Sequence, residues 1–480
     1  MTDASAPAEG LVAEEAETPP LSAGYRTYAL WLLMLVYTLN FLDRQIVNIL
    51  AEDIKKDLHL ADWQLGMMTG LAFALFYTVL GLPIARLAER SNRPKIIAGS
   101  IILWSGFTVL CGFATNFWQL VLARIGVGIG EAGCTPAAHS LITDYTPKEK
   151  RASAIAFYSI GTPLGSLIGL AMGGMIADAY GWQTAFWVAG APGVIIGLLC
   201  FFTLIETRGK LVAQVAARKA NQIDFKVALK VLANKKTFWL IAFAAAIKAF
   251  IGYGHAPFTA SFFFRNHADQ ITELAATIKV LTGLSLGPAG TVGIGLSAVS
   301  GIAGIFGVWL GGFIADRLGA KDLRAYVIVP AIASLVVIPI YITAVMIGDA
   351  RVAFLLLALP AILGSLWYGP VYATAQSIVE PRMRATTAAV LLFIINLVGL
   401  GLGPLFVGIL SDLLANNFLG ATGLTLADCG KGMLAVNKGA CAVAEAEGLR
   451  WALVWSMAFN FVAFALFWLA RKTIREEMVS

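Results

Sequence analysis

Twelve runs of roughly 20 apolar residues, each long enough to cross a hydrocarbon core of about 30 Å, decide what this chain can become. They lie near 27–50, 63–87, 95–113, 117–143, 152–177, 182–204, 237–264, 291–316, 323–347, 352–378, 385–412 and 449–470, and are numbered here as spans 1 to 12. A segment in lipid must satisfy its own backbone hydrogen bonds, and for runs of this length that means α-helix. The expected fold is therefore all-α and polytopic, with twelve transmembrane helices. Composition agrees: 58% of the 480 residues are hydrophobic and 13% charged, far from the balance of a soluble domain.

Lys and Arg set the orientation. With both termini cytoplasmic, the basic residues of the loops favour that side roughly three to one, so a plasma (inner) membrane protein with both ends inside is expected. The net charge of +6 is absorbed by these anchors, eight of which fall between Arg208 and Lys236, and a nucleic-acid partner is excluded. Residues 1–25 are acidic and rich in Ala and Pro, and are expected to form a disordered cytoplasmic tail without the basic start of a signal peptide. Two six-helix bundles, 26–205 and 237–471, are then joined by a cytoplasmic linker, 206–236, and followed by a short tail, 472–480. Within the linker, Val227, Leu229 and Val231 alternate with Lys226, Lys230 and Lys235, which predicts an amphipathic helix on the membrane surface.

Charges inside the spans are costly and point to function. Asn40, Arg44 and Asn48 form one stripe of span 1, with Asp43 on its flank; Arg124 and Glu131 share a face of span 4, continued by Thr135 and His139. Span 1 runs outward and span 4 inward, which places Asp43 about seven residues from the outer end of its helix and Arg124 at a similar depth. Asp43, Arg44, Arg124 and Glu131 are expected to form one ionic cluster, either a cavity wall or a structural clamp. Span 7 carries Lys248, too deep to snorkel, which either contacts an anionic headgroup or pairs with an acid. His255 shares its face and reads as a packing residue ahead of a proton relay. Phe250, Tyr253, Phe258 and Phe262 on span 7, with Trp367, Tyr368 and Tyr372 on span 10, are either packing or an aromatic wall.

Three landmarks repeat at nearly one offset, between 227 and 234 positions. Ala88-Glu89-Arg90 answers Ala315-Asp316-Arg317, Arg151-Ala152-Ser153 answers Arg384-Ala385-Thr386, and Asp178 answers Asp412. A duplicated six-helix unit explains them, and transporters place the substrate between such halves. Glycines such as Gly126, Gly128, Gly130 and Gly133 permit close helix approach. Cys111, Cys134 and Cys200 sit inside spans, whereas Cys429 and Cys441, outside and twelve positions apart, either pair as a disulfide or stand as free thiols. The sequence holds no metal-ligand spacing, phosphate-binding glycine loop or nucleophile motif, so neither a cofactor nor an enzyme activity is expected.

Gly312-Phe313-Ile314-Ala315-Asp316-Arg317-Leu318-Gly319-Ala320-Lys321 resembles the loop signature of the major facilitator superfamily, and Arg124-Ile125-Gly126-Val127-Gly128 resembles its fourth-helix motif. Gly161-Thr162-Pro163-Leu164-Gly165 approximates the fifth-helix pattern, while the first-half loop departs from the signature at Ala85, Glu89 and Asn92. Within that superfamily, Asn40-Phe41-Leu42-Asp43-Arg44, Asn92-Arg93 and Glu131 are similar to the spinster-type lysolipid transporters. The resemblance implies secondary active, proton-coupled or facilitative transport of an anionic amphiphile, such as a lysophospholipid or a sphingosine phosphate, by alternating access. The alternative is a symporter of a small organic anion with protons, since anion:cation symporters carry related first-helix text. On this reading Asp43, Arg44, Arg124 and Glu131 form the proton-coupling network; Asn40, Arg44, Arg124, Lys248, Tyr253, Trp367, Tyr368 and Tyr372 bind substrate. Glu89, Arg90, Asp316 and Arg317 form a cytoplasmic gate, in which Glu89 and Asp316 meet helix N-termini of the opposite half. A monomer is expected, with cargo, protons and the bilayer as its partners.

Overall fold

A computed structural model describes residues 21–207, 225–420, 422–430 and 433–478. Eleven helices in it are long and apolar enough to span: Ala23–Leu58, Asp62–Ala88, Arg93–Cys111, Ser153–Tyr180, Trp182–Thr203, Lys236–Asn266, Pro288–Gly319, Ala325–Met346, Ala350–Ser377, Thr386–Gly420 and Ala435–Ala470. The twelfth, span 4, is split into Phe117–Glu131 and Cys134–Tyr145, so each piece is shorter than a bilayer crossing. Twelve membrane helices in two six-helix bundles result.

Local chemistry sets the ends. Asn92 and Asn116 accept from the backbone N–H of Lys95 (3.0 Å) and Gln119 (3.1 Å), capping spans 3 and 4, and Asp349 caps span 10. The corner between spans 5 and 6 turns at Gly181, whose φ of +85° suits glycine. Span 2 widens at Met67–Leu71 and span 8 at Ser297–Ala303, matching positions of the repeat where the i to i+5 pattern replaces the α-helical one. Such turns recur at functional sites. Span 11 widens likewise at Ile395–Leu402, where its counterpart, span 5, is interrupted at Ile160–Gly161.

Three expectations need correction. Span 1 continues eight residues past its expected end, carrying Glu52 and Lys55 inside the helix because partners elsewhere in the fold neutralise them, and Lys56, which is exposed and pairs with Glu52 of the same helix. Span 12 also begins early, and spans 7 and 8 are joined by a surface helix, Ala268–Thr282, that apolar runs alone did not mark. In the linker helix Phe225–Ala233 the buried positions are Ala228 and Leu232, one turn apart, while Val227 and Leu229 are exposed. Alternation by two is a strand period; a helix buries residues four apart. Residues 1–20 of the tail and 208–224 of the linker lie outside the described residues.

The helix ends near Tyr25, Ile205, Lys236 and Glu477 gather on one face, the face of the termini. On the far face the two halves are clamped together. Gly66 packs so tightly that a Cβ there would lie 2.2 Å from the carbonyl oxygen of Pro404, and one at Gly174 would lie 2.2 Å from that of Ala289. Both contacts cross the seam.

Candidate functional site

Below the far-face clamp lies a cavity of about 370 Å³, lined by spans 7, 8, 9, 10 and 12 with Gln45 and Leu170 from the first half. Lys248, Tyr253, His255, Tyr341, Trp367 and Tyr368 are in its wall. Trp367 and Tyr368 stack with ring centroids 4.0 Å apart, and His255 stacks on Tyr341 at 4.8 Å. Tyr253 sits between Tyr368 and Arg44, carrying the aromatic wall to span 1. Tyr372 faces Tyr37, Tyr77 and Tyr253 at the edge of this wall. Phe258 and Phe262 are fully buried packing residues, and Phe250 packs on Phe406 and Phe459.

Of the four charges of spans 1 and 4, Arg44 and Glu131 form an ion pair, and Asp43 and Arg124 stand within electrostatic range of them without an ion pair of their own among the described residues. Arg44 reaches Glu131, its Nε and Nη2 each 2.7 Å from Oε2, and its guanidinium lies against Phe41, Phe73 and Tyr77 at 5.3, 4.9 and 4.5 Å. Its side chain keeps 16% exposure, the most of the four. Asp43 is 1% exposed and accepts one hydrogen bond, from Thr108 Oγ1 at 3.2 Å; its Oδ1 has no partner. Arg124 lies 5.1 Å from the Phe73 ring centroid and makes no ion pair among the described residues. Asn40 is buried beside Glu131. The reason is angular: neighbours on a helix point about 100° apart, so Asp43 faces span 3 while Arg44 faces span 4. None of the four lines the cavity, whose first-half lining residues are Gln45, next to Arg44 in sequence, and Leu170.

Lys248 has a different setting. It is 5% exposed, and its Nζ donates to the side-chain oxygen of Asn460 at 2.8 Å; no carboxylate lies within ion-pair range among the described residues. Of the two alternatives, pairing with an acid is not found among the described residues, and a neutral amide on span 12 is the partner.

The far face carries a network that the sequence reading missed. Asp62, opening span 2, receives Arg265 from span 7 in a two-pronged contact (both 2.8 Å), Lys55 at 2.9 Å and the Ser411 hydroxyl at 2.6 Å. Arg265 also grips Glu52, and Lys55 reaches Glu445 at 3.2 Å. Asp412 accepts from the first N–H groups of span 2, Asp62 (3.0 Å) and Trp63 (2.8 Å). Its repeat mate Asp178 does the same for span 8, accepting from Ala289 (3.0 Å) and Gly290 (2.6 Å). Each carboxylate thus caps a helix N-terminus of the opposite half. Among the described residues, the hydrogen bonds and ion pairs across the seam gather toward this face.

At the opposite gate, Asp316 and Arg317 make no ion pair across the seam among the described residues. Asp316 accepts from Tyr326 Oη at 2.8 Å within its own half, and Arg317 is exposed. The side chains of Glu89 and Arg90 lie outside the described residues. Helix capping by an acid of the opposite half, expected of Asp316 and of Glu89, is not made by Asp316, while Asp178 and Asp412 make it on the far face. Cys429 and Cys441 are joined as a disulfide, Cα atoms 5.5 Å apart, which ties the loop before span 12 to the helix that presents Glu445. Cys111, Cys134 and Cys200 are free and buried.

This arrangement has known counterparts. The family model of the Major Facilitator Superfamily matches residues 33–404. An MFS-type efflux pump of Mycolicibacterium smegmatis is 34% identical over 82% of this chain and 86% of that protein. Protein spinster homolog 1 of Mus musculus is 27% identical over 83% of this chain and 75% of that one. A solved structure of a bacterial homolog to the human lysosomal transporter spinster, in an inward-facing and unoccupied conformation, superposes with a TM-score of 0.81 at 33% identity, covering 96% of this chain and all of that one. With the far face clamped across the seam and these relatives alongside, the chain belongs to the major facilitator superfamily, as a spinster-like multi-pass membrane transporter.

Proposed function

We propose that this transporter moves an anionic amphiphile, a lysophospholipid or a sphingoid phosphate, by alternating access and with a proton coupled through Asp43. The observation that supports the reading is the composition of the cavity: a cation in its wall, Lys248, beside the rings of Tyr253, Tyr341, Trp367 and Tyr368, with Arg44 outside the lining and within electrostatic range of Tyr253. A charged head meets the cation and an acyl chain meets the rings, which is the usual division of labour in a ligand pocket. Asn40, Arg124 and Tyr372, outside the lining, complete the proposed binding set.

In this mechanism Asp43 is a carboxylate with one hydroxyl partner, one unpartnered oxygen and an arginine close by. Cargo that draws Arg44 toward the cavity weakens its pairing with Glu131 and changes the field in which Asp43 holds its proton. Substrate and proton then bind with mutual influence, as coupled transport requires. We place both termini in the cytoplasm and the protein in the plasma membrane as a monomer; the far face is then the outer gate, latched by Asp62, Arg265, Asp178 and Asp412, and the cavity opens inward. Asp316, Arg317, Glu89 and Arg90 take over as the latch when the cavity turns outward. The test is flux of a fluorescent lysolipid in proteoliposomes across pH. Asp43→Asn is expected to flatten the pH profile at unchanged thermal stability, and a profile identical to that of the parent protein ends the coupling role.

A further inference from the structure

We infer that the anionic group of the cargo is received in the carboxy-terminal half, at Lys248 and His255, and that this receptor takes an anionic oxygen next to a hydroxyl group. The inference rests on the proposed anionic cargo and names the atoms that hold its head.

The first support is a count of donors. An ammonium has three N–H groups, and Lys248 spends one on Asn460 Oδ1, which is held in place because Asn460 Nδ2 donates to the Met457 carbonyl at 3.2 Å. The remaining two face a cavity wall with no acid in reach among the described residues. Burial has stripped this cation of water, and a neutral amide does not replace a counter-charge. Arg44 is in the reverse condition, with its charge answered by Glu131 and its faces covered by three rings. An incoming anion gains more at Lys248.

The second support is the tautomer of His255. The Ser456 hydroxyl has one proton and the Leu453 carbonyl 2.8 Å away to receive it; with the proton assigned there, the imidazole is the donor across the 2.6 Å contact between Ser456 Oγ and His255 Nε2. In the neutral ring this leaves Nδ1 as an acceptor, with no partner among the described residues, on a side chain that lines the same cavity as Lys248. Asn460 and Ser456, which hold the two groups, are four positions apart in span 12, and Lys248 and His255 line the same cavity. An anion that accepts from the ammonium and a neighbouring hydroxyl that donates to the ring nitrogen fit that pair. The pairing occurs in a glycerophosphate head and equally in a soluble sugar acid.

Binding measured on the full chain in nanodiscs distinguishes these sources. The probes are 1-oleoyl-lysophosphatidylglycerol, 1-oleoylglycerol, dodecyl phosphate and glucuronate. The unmodified protein is expected to bind the lysophosphatidylglycerol at least tenfold more tightly than oleoylglycerol. Lys248→Met and Asn460→Asp, the second supplying the missing acid without changing shape, should each erase that preference and leave oleoylglycerol binding in place, while Lys248→Arg retains it. His255→Phe should weaken the lysophosphatidylglycerol several-fold and spare dodecyl phosphate, which has no hydroxyl. Lysolipid binding untouched in Lys248→Met and Asn460→Asp but lost in Arg44→Gln overturns the receptor and leaves the amphiphile reading standing. Glucuronate bound with the Lys248 dependence, and oleoylglycerol not bound, upholds the receptor and replaces the amphiphile with a sugar acid. No binding of any probe to the unmodified protein ends both.

Discussion

In the amino-terminal half a buried cation is met by an acid: Arg44 lies 2.7 Å from Glu131, and Arg124 and Asp43 complete a set of two positive and two negative groups. In the carboxy-terminal half Lys248 lies 2.8 Å from a neutral amide, and no second charge accompanies it. The two bundles share one helical plan, down to the widened turns at Met67–Leu71 and Ser297–Ala303, so the plan does not dictate the electrostatics. One half is balanced and the other has a positive charge to spare. The far face repeats the lesson with its caps, since Asp412 is half-buried among Asp62, Ser411 and the Arg265 network while Asp178 holds its pair of N–H groups at the surface.

The largest effect is expected where the balance is complete. Glu131→Gln leaves Arg44 without its counter-charge, and breaking one partner of a buried pair costs about 3–5 kcal/mol. Thermal or denaturant unfolding of the purified protein reads the loss, and Arg44→Gln/Glu131→Gln should recover part of it. Equal loss in the single and double variants means that Arg44 is solvated through the cavity and the halves differ less than proposed.

The two caps come next. Asp412→Asn keeps the shape of the cap and removes its charge; a hydrogen bond to a charged group is worth about 1.5–3 kcal/mol, so the far face should open measurably. Asp178→Asn, exposed and without neighbouring cations, should shift access by about 0.3–1 kcal/mol, the usual worth of an acid near a helix N-terminus. Labelling of a cysteine placed at Tyr253 with a reagent added on the far side reports both. Equal shifts would mean that the two seams close with equal strength and that the buried network adds nothing to the gate.

How far the sequence discloses these differences depends on the scale of the interaction. Twelve apolar runs mark the helices because burial in lipid is a property of each segment by itself. The break in span 4 and the extension of span 1 to Leu58 are not legible in the same way: Glu52 and Lys55 read as loop charges until Arg265, Asp62 and Glu445, up to 390 positions distant, are seen to neutralise them. The matching offset of Asp178 and Asp412 was a usable signal for the caps, though only the fold says that each reaches the opposite half. Among the site residues, helical spacing brought Arg44 and Glu131 into reach, yet it could not separate Asp43 from them, because which flank of span 1 faces span 3 is decided by packing. Lys248 was legible as a charge at membrane depth, and the neutrality of its partner was not.

That neutrality yields the smallest expected effect and the most direct test of the comparison. Replacing both members of a hydrogen-bonded pair by apolar groups of similar shape is nearly neutral, since no donor or acceptor is left unmet. Lys248→Met/Asn460→Leu should therefore unfold within about 1 kcal/mol of the parent protein, whereas the corresponding single change at Glu131 costs several times that. If the ammonium were instead held by a hidden acid, the double variant would strand that acid in the interior and lose about 3–5 kcal/mol. A loss of that size would make the carboxy-terminal half as balanced as its partner and remove the spare charge on which the anion receptor depends. A near-zero change, together with lost preference for the charged lysolipid, assigns Lys248 to the cargo and leaves the scaffold to its apolar contacts.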